Sequence, residues 1–354
     1  MTAATPPTST DLAGLDLPAL DAHLREIGVA RSGELTGRLL SGGRSNLTFL
    51  VADDASRWVL RRPPLSGLTP SAHDVAREYR VVDALGSTAV PVAPTVTVDA
   101  EGTVLGAPFA MVAYVDGRVI RTADDLAGVP AAQVSPTIDA LVTTLSDLHA
   151  VDPAAVGLGD FGRPEGYLAR QVRRWGSQWQ HVRFDDDTRD NDVSTLHDRL
   201  VEALPEQQGT SIVHGDYRID NVMVDHDEPT TILAVVDWEL STLGDPLSDV
   251  ALMCVYRDPD FDDVLGLAAA WTSPALPSAD DIAQRYAARS GRDLVGWPFY
   301  LALGYFKLAI IAAGIDHRRR TAEGAGRSAD AEAPDRVGAS VAPLLATGLR
   351  IISG

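Results

Sequence analysis

Two short β-like runs, Asn221 to Val224 and Thr231 to Val236, are joined by the turn Asp225 to Thr230 inside a region that otherwise reads as long helices. Folded as a hairpin, they bring Asn221 and Asp237 together, so that a carbonyl oxygen and a carboxylate face one point. Hard oxygen ligands of this kind suit Mg²⁺ held jointly with nucleotide phosphates, because magnesium takes few ligands from protein. Asp216, five residues before Asn221 on the same loop, is placed to accept a proton from a hydroxyl attacking such a phosphate. The three residues form a candidate set for phosphoryl transfer.

The rest of the chain reads as a β-rich part followed by a helical part. Leu17, Leu20, Leu24 and Ile27 recur at helical spacing behind Asp16 and Pro18, which predicts a helix ending near Gly33. From Thr36 to Arg62 the pattern is strand, glycine turn (Ser41 to Asn46), strand, turn, strand. Ser71 and Asp74 form a capping box for a helix that Gly86 closes near Leu85. Strands follow around Pro94 to Val98 and Pro108 to Val115. Beyond Asp116-Gly117 come helices over about 135–149, from an Asp245 cap through Val255, and over 279–290 and 297–315. The boundary therefore falls between 1–115 and 116–354. Arg320 to Arg336 reads as a mobile loop, and the acid-rich runs 185–187 and 258–263 as solvated loops.

Composition narrows the function. The chain has 354 residues, 45 % of them hydrophobic and 22 % charged, which suits a folded globular protein. A net charge of −19 repels nucleic-acid backbones and anionic membrane surfaces. The first ten residues carry no export signal and the longest apolar run, Phe299 to Ile315, is too short to span a bilayer, so a cytoplasmic location is expected. The single cysteine, Cys254, lies in an apolar setting and reads as a buried, inert thiol. Only one of the 30 basic residues is a lysine, Lys307.

The run Val213-His214-Gly215-Asp216-Tyr217-Arg218-Ile219-Asp220-Asn221, with Asp237 and the segment Gly244 to Asp249, resembles the aminoglycoside phosphotransferase and choline kinase family. The segments 59–64, 77–80 and 166–178 look especially like the kinase-like domains fused to some acyl-CoA dehydrogenases. The resemblance implies a two-lobed, protein-kinase-like α+β fold, with a β-rich nucleotide-binding lobe over 1–115 and a helical catalytic and substrate-binding lobe over 116–354. It implies Asp216 as base, Asn221 and Asp237 as magnesium ligands, and ATP or GTP as co-substrate. By the same resemblance His214 is a packing residue, Asp249 orients the backbone of the catalytic loop, and the backbone at Ala113 and Val115 reads the adenine edge.

Protein kinases place a lysine on the third strand, paired with a helix glutamate. Here Arg61 takes that position, with Val59 on the same face against adenine; the alternative register uses Leu60 and Arg62. Arginine keeps the charge and adds a two-pronged grip on phosphate. Glu78 lies between Val75 and Val82 on the inward side of its helix and is the expected partner of Arg61. Gly42, Gly43 and Ser45 make a candidate phosphate-covering turn. Leu168, Val172, Trp175 and Trp179 form one apolar helix face, and Arg170 and Arg174 fall on another, where they offer cations to an anionic substrate.

The expected activity is magnesium-dependent transfer of a γ-phosphoryl group to a small-molecule hydroxyl, with a hydroxyacyl-type anion favoured over cationic aminoglycosides or choline. Asp245 follows Asp237 by only eight residues, which leaves no room for a protein-kinase activation segment. A nucleotide-binding pseudokinase that regulates a partner is the alternative suggested by the missing lysine. A metal hydrolase built on His214 lacks a histidine pair at ligand spacing.

Overall fold

The structure, a computed structural model, describes residues 12–41, 46–65, 74–185, 187–324 and 336–354. The chain divides into two compact units, one of residues up to Asp116 together with Leu233–Glu239, the other of Gly117–Ile232 and Leu240–Gly354. Leu233–Glu239, which the sequence places in the second unit, therefore belongs to the first.

In the first unit, Asp16 caps α1 (Leu17–Glu26) by accepting from the Ala19 amide at 2.9 Å, with Pro18 in the opening turn. The helix stops before Gly28, whose φ of 77° ends it several residues short of the expected Gly33. Five antiparallel strands follow: β1 (Thr36–Ser41), β2 (Leu47–Ala52), β3 (Arg57–Arg62), β4 (Thr95–Asp99) and β5 (Phe109–Ala113), in the order β1-β2-β3-β5-β4. Strand alternation sends Phe49, Val51, Trp58 and Leu60 to one face, where they pack with Leu20 and Leu24 of α1. Each such fully buried side chain contributes about 1.5–3 kcal/mol. Arg57, Val59 and Arg61 lie on the opposite face of β3. Against β4 and β5 packs α2 (Val75–Leu85), capped by the Asp74 side chain on the Arg77 amide at 3.0 Å. Ser71 and the glycine turn at 42–45 lie outside the described residues.

The second unit opens with β6 (Arg118–Val119), α3 (Ala123–Ala127), α4 (Ala131–Ala150), α5 (Tyr167–Val182) and α6 (Asp190–Glu202). Next come β7 (Ser211–Val213), a 3₁₀ turn at Ile219–Asn221, β8 (Val222–Val224) and β9 (Ile232–Val235), where the chain passes into the first unit. After a second 3₁₀ turn at Trp238–Leu240, β10 (Thr242–Gly244) pairs antiparallel with β7, and β8 pairs with β6. The remaining helices are α7 (Leu247–Val255), α8 (Asp260–Leu265), α9 (Ala279–Ser290), α10 (Trp297–Gly324) and α11 (Val337–Ser353).

Three expectations change here. α10 runs past Ile315 to Gly324, because the fully buried Asp316 pairs with Arg319 and Arg320 at 3.2 and 3.0 Å, one turn further on. The segment 320–324 is thus helix, and 325–335 lies outside the described residues. The acid runs are not simple solvated loops either: Asp187 grips Arg189 with both oxygens, and 260–263 opens α8, with Phe261 and Val264 buried. One stretch of α10 is long and apolar enough to cross a bilayer, but 67 % of it is buried within the protein, as in a core helix.

Candidate functional site

Within the first unit, the pattern of β3 turns Arg61 away from the α1 face and toward α2. There its Nη1 donates to Glu78 Oε2 at 2.7 Å, and Asn46 Nδ2 donates to Glu78 Oε1 at 3.2 Å. Arg62 points the other way, is 6 % exposed and donates to the Gly14 carbonyl, so the register that uses Arg61 is the one observed. Asp237 Oδ1 lies 3.9 Å from Arg61 Nη2. Burial pushes the Glu78 carboxyl up to about 7; Arg61 opposes that, and Asp237 and Glu239 add to it. Asp237 is the one non-glycine with positive φ among the described residues, at 65°, a conformation that aspartate tolerates better than most side chains. Its approach is fixed by the Val235 amide on the Pro91 carbonyl at 2.8 Å and by Trp238 Nε1 on the Val235 carbonyl at 3.0 Å. Val59 and Val115 are half-buried. The Ala113 amide donates to the Pro94 carbonyl at 2.8 Å, so it is already engaged within the first unit.

Within the second unit, β7 delivers His214, Gly215 and Asp216. Asp249, in the first turn of α7 and 2 % exposed, accepts from the His214 amide at 2.6 Å and the Gly215 amide at 2.8 Å. Its Oδ2 also lies 3.2 Å from His149 Nε2, and His149 Nδ1 lies 2.7 Å from the Tyr286 hydroxyl. Burial alone would raise the Asp249 carboxyl, but the bonds from His149 and the loop amides hold it below the usual carboxylate range. Gly215 has φ 85°, and a Cβ there would lie 2.8 Å from the Leu240 carbonyl oxygen, so glycine alone fits.

Asp216 is held on both oxygens. The Tyr256 hydroxyl donates to Oδ1 at 2.6 Å, and Asn221 Nδ2 donates to Oδ2 at 3.0 Å and to the Asp216 carbonyl at 2.7 Å. Burial, then the neighbouring Asp216 charge, pushes the Tyr256 hydroxyl well above its ordinary value, so it remains a donor. Arg218 sits 3.5 Å from Asp216 Oδ2 and 3.1 Å from Asp220 Oδ1, its guanidinium over the Tyr256 and Phe261 rings. His214 is fully buried with its ring against Tyr217, a packing position.

In the second unit, Asn221 Nδ2 donates to Asp216, and among the described residues its Oδ1 accepts no hydrogen bond; in the first unit, Asp237 carries a half-exposed carboxylate. Among the described residues no group of three or more His, Cys, Asp or Glu is placed to hold a metal ion without further ligands.

Other sequence expectations fare differently. Arg170 folds back onto the carbonyls of Arg163 and Glu165, so it is committed to its own loop. Arg174 is exposed, with its guanidinium 5.6 Å from the Trp175 ring, and Trp175 is half-buried beside a cleft rather than packed in the core. Gly42, Gly43 and Ser45 lie outside the described residues. Cys254 is buried, with its thiol pushed up to about 12 by burial. Sequence reasoning missed Tyr256 and His149, which meet Asp216 and Asp249 from 40 and 100 residues away. It also missed Lys307, whose Nζ donates to the Gly215 carbonyl at 2.8 Å and whose signal was its being the only lysine.

A family model described as the phosphotransferase enzyme family matches residues 36–288. Acyl-CoA dehydrogenase family member 10 of Mus musculus is 32 % identical over 335 residues, covering 92 % of this chain and 30 % of that protein. The chain spans about a third of the length of the curated relatives it matches first. A Ralstonia eutropha JMP134 protein provisionally assigned as an aminoglycoside phosphotransferase matches with a TM-score of 0.80 at 33 % identity, over 95 % of this chain and 98 % of that one. A thermostable mutant of aminoglycoside phosphotransferase APH(4)-Ia, in ternary complex with ADP and hygromycin B, shares the fold, with a TM-score of 0.59 at 16 % identity over 94 % and 97 % of the two chains. The expected kinase-like α+β fold, and the likeness to proteins named for acyl-CoA dehydrogenases, are both borne out.

Proposed function

This chain belongs to the phosphotransferase enzyme family, and on that premise we propose that it transfers the γ-phosphoryl group of a nucleoside triphosphate to the hydroxyl of a small molecule. The observation that carries the reading is Asp216: its carboxylate is oriented by Tyr256 and Asn221, on a loop whose backbone Asp249 locks in place. A carboxylate so held takes the proton of an attacking hydroxyl. The Arg61–Glu78 pair presents a guanidinium fork to the nucleotide phosphates. Magnesium, held by Asn221 and Asp237, would neutralise charge on those phosphates. The proposed acceptor is a hydroxyacyl-type anion. That choice rests on kinship with acyl-CoA dehydrogenase family members and no longer on Arg170.

The test is nucleotide consumption with magnesium over a panel of hydroxyacyl compounds, aminoglycosides and choline. Asp216→Asn should keep nucleotide binding while turnover falls by about two to four orders of magnitude, and Asp237→Ala should lose magnesium-dependent nucleotide binding. Full turnover by Asp216→Asn at saturating substrates refutes the assignment of the base. Nucleotide binding with no turnover on any acceptor would favour the regulatory alternative.

A further inference from the structure

Lys307 lies in the middle of α10, in a cleft of the second unit lined also by Tyr167, Gln171, Trp175, Ser248 and Leu303. Its ammonium group carries three donors, and one is used on the Gly215 carbonyl at 2.8 Å. Among the described residues it makes no other hydrogen bond and no ion pair. Other cations of the second unit are paired: Arg218 reaches Asp216 and Asp220, and Arg189 grips Asp187. A neutral amide or hydroxyl would serve a carbonyl equally well, without the penalty of desolvating a charge.

Asp249 also lines the cleft, but its oxygens accept from the His214 and Gly215 amides and lie beside His149, which leaves Lys307 as the one cation among the residues lining it. The Trp175 ring lies 5.7 Å from Lys307 Nζ and 5.6 Å from the Arg174 guanidinium, so one indole stands beside two cations. Burial lowers the Lys307 ammonium; Asp216 and Asp249 favour its charge from beyond ion-pair distance, and Arg174 disfavours it. Gly215 directly precedes Asp216, so a group bound at Lys307 sits within a short carbon chain of the proposed base.

We propose that Lys307, with Arg174 beside the same Trp175 ring, binds the carboxylate of a hydroxy-acid acceptor whose carbon chain lies over Trp175 and whose hydroxyl is directed at Asp216. The identification of the ligand as the acceptor rests on the kinase reading; the carboxylate site rests on the cleft itself.

Since Lys307 is the only lysine, wild-type protein grown on ¹³Cε-lysine reports this position as a single resonance. It is titrated with 2- to 6-hydroxyalkanoates and with the matching neutral diols. Isothermal titration of the same compounds follows for wild type, Lys307→Met, Lys307→Arg and Arg174→Gln. The proposal expects at least one hydroxyalkanoate, and no diol, to move the lysine signal. It expects Lys307→Met to weaken that binding by ~10- to 100-fold, with Lys307→Arg and Arg174→Gln milder. It is overturned if no carboxylate moves the signal, or if Lys307→Met weakens carboxylates and diols alike, which would mark a support for the loop and nothing more. Carboxylate binding at Lys307 without phosphoryl transfer to any hydroxyl would remove the kinase reading and leave this site standing. Phosphoryl transfer with an unmoved lysine signal would do the reverse.

Discussion

Glu78 makes folding depend on pH in a direction opposite to that of an ordinary ion-paired carboxylate. Its carboxyl is pushed from 4.5 up to about 7, chiefly by burial, with Arg61 opposing and Asp237 and Glu239 reinforcing. A group raised in the folded state binds its proton more tightly there, so its contribution to stability is complete below about 4.5 and is lost as pH rises through about 7. At about 1.4 kcal/mol per pH unit, that interval is worth roughly 3 kcal/mol. Glu78→Gln keeps the shape of the protonated side chain and cannot ionise. Relative to wild type it should therefore gain about 3 kcal/mol between pH 5 and pH 9, read from urea unfolding at several pH values. Other titrating groups are common to both proteins and cancel. The same substitution should weaken nucleotide binding, because the Arg61 guanidinium loses its anionic partner at 2.7 Å. A stability difference between the two proteins that stays flat from pH 5 to pH 9 would refute the account of Glu78.

Arg61→Ala should weaken nucleotide binding by about tenfold or more and Arg61→Lys by less, while Arg62→Ala, which frees the Gly14 carbonyl, should show in unfolding free energy by about 1–3 kcal/mol and leave nucleotide titrations nearly unchanged. Cys254, buried and with its thiol pushed up to about 12, should react with a thiol reagent only as fast as the protein unfolds, a comparison made by following labelling and unfolding in the same urea series.

What could be read from the sequence was whatever short-range chemistry decides. Asp16 marks a helix start because an acceptor must meet orphan amides within three residues, whereas the start expected from a Ser71–Asp74 box falls at Asp74 itself, whose side chain takes the Arg77 amide. Alternation along β3 separated Arg61 from Arg62 because a strand has only two faces. The meeting of Asp216 and Asn221 was legible because one loop carries both. Illegible were features fixed by distant partners. Arg170 looked free on its helix until the carbonyls of Arg163 and Glu165 were seen to take it. Trp175 matched the apolar spacing of Leu168 and Val172, yet it borders a cleft because Lys307 of α10 lies beside it. Tyr256 holds Asp216 across 40 residues, and no periodicity encodes such a meeting.

The return of the chain at Leu233–Glu239 to its first unit has a consequence for biosynthesis. A ribosome releases the sheet and α2 long before it makes the segment whose Val235 amide bonds to Pro91 and whose Asp237 faces Arg61. Residues 117–232 must be translated in between, a wait on the order of 10 s at common elongation rates. Throughout it the early unit stands as an unfinished nascent domain, and neither unit can be completed by vectorial folding of one contiguous stretch. A gene cut after codon 116 would therefore encode an orphan, lacking the aspartate beside its own arginine.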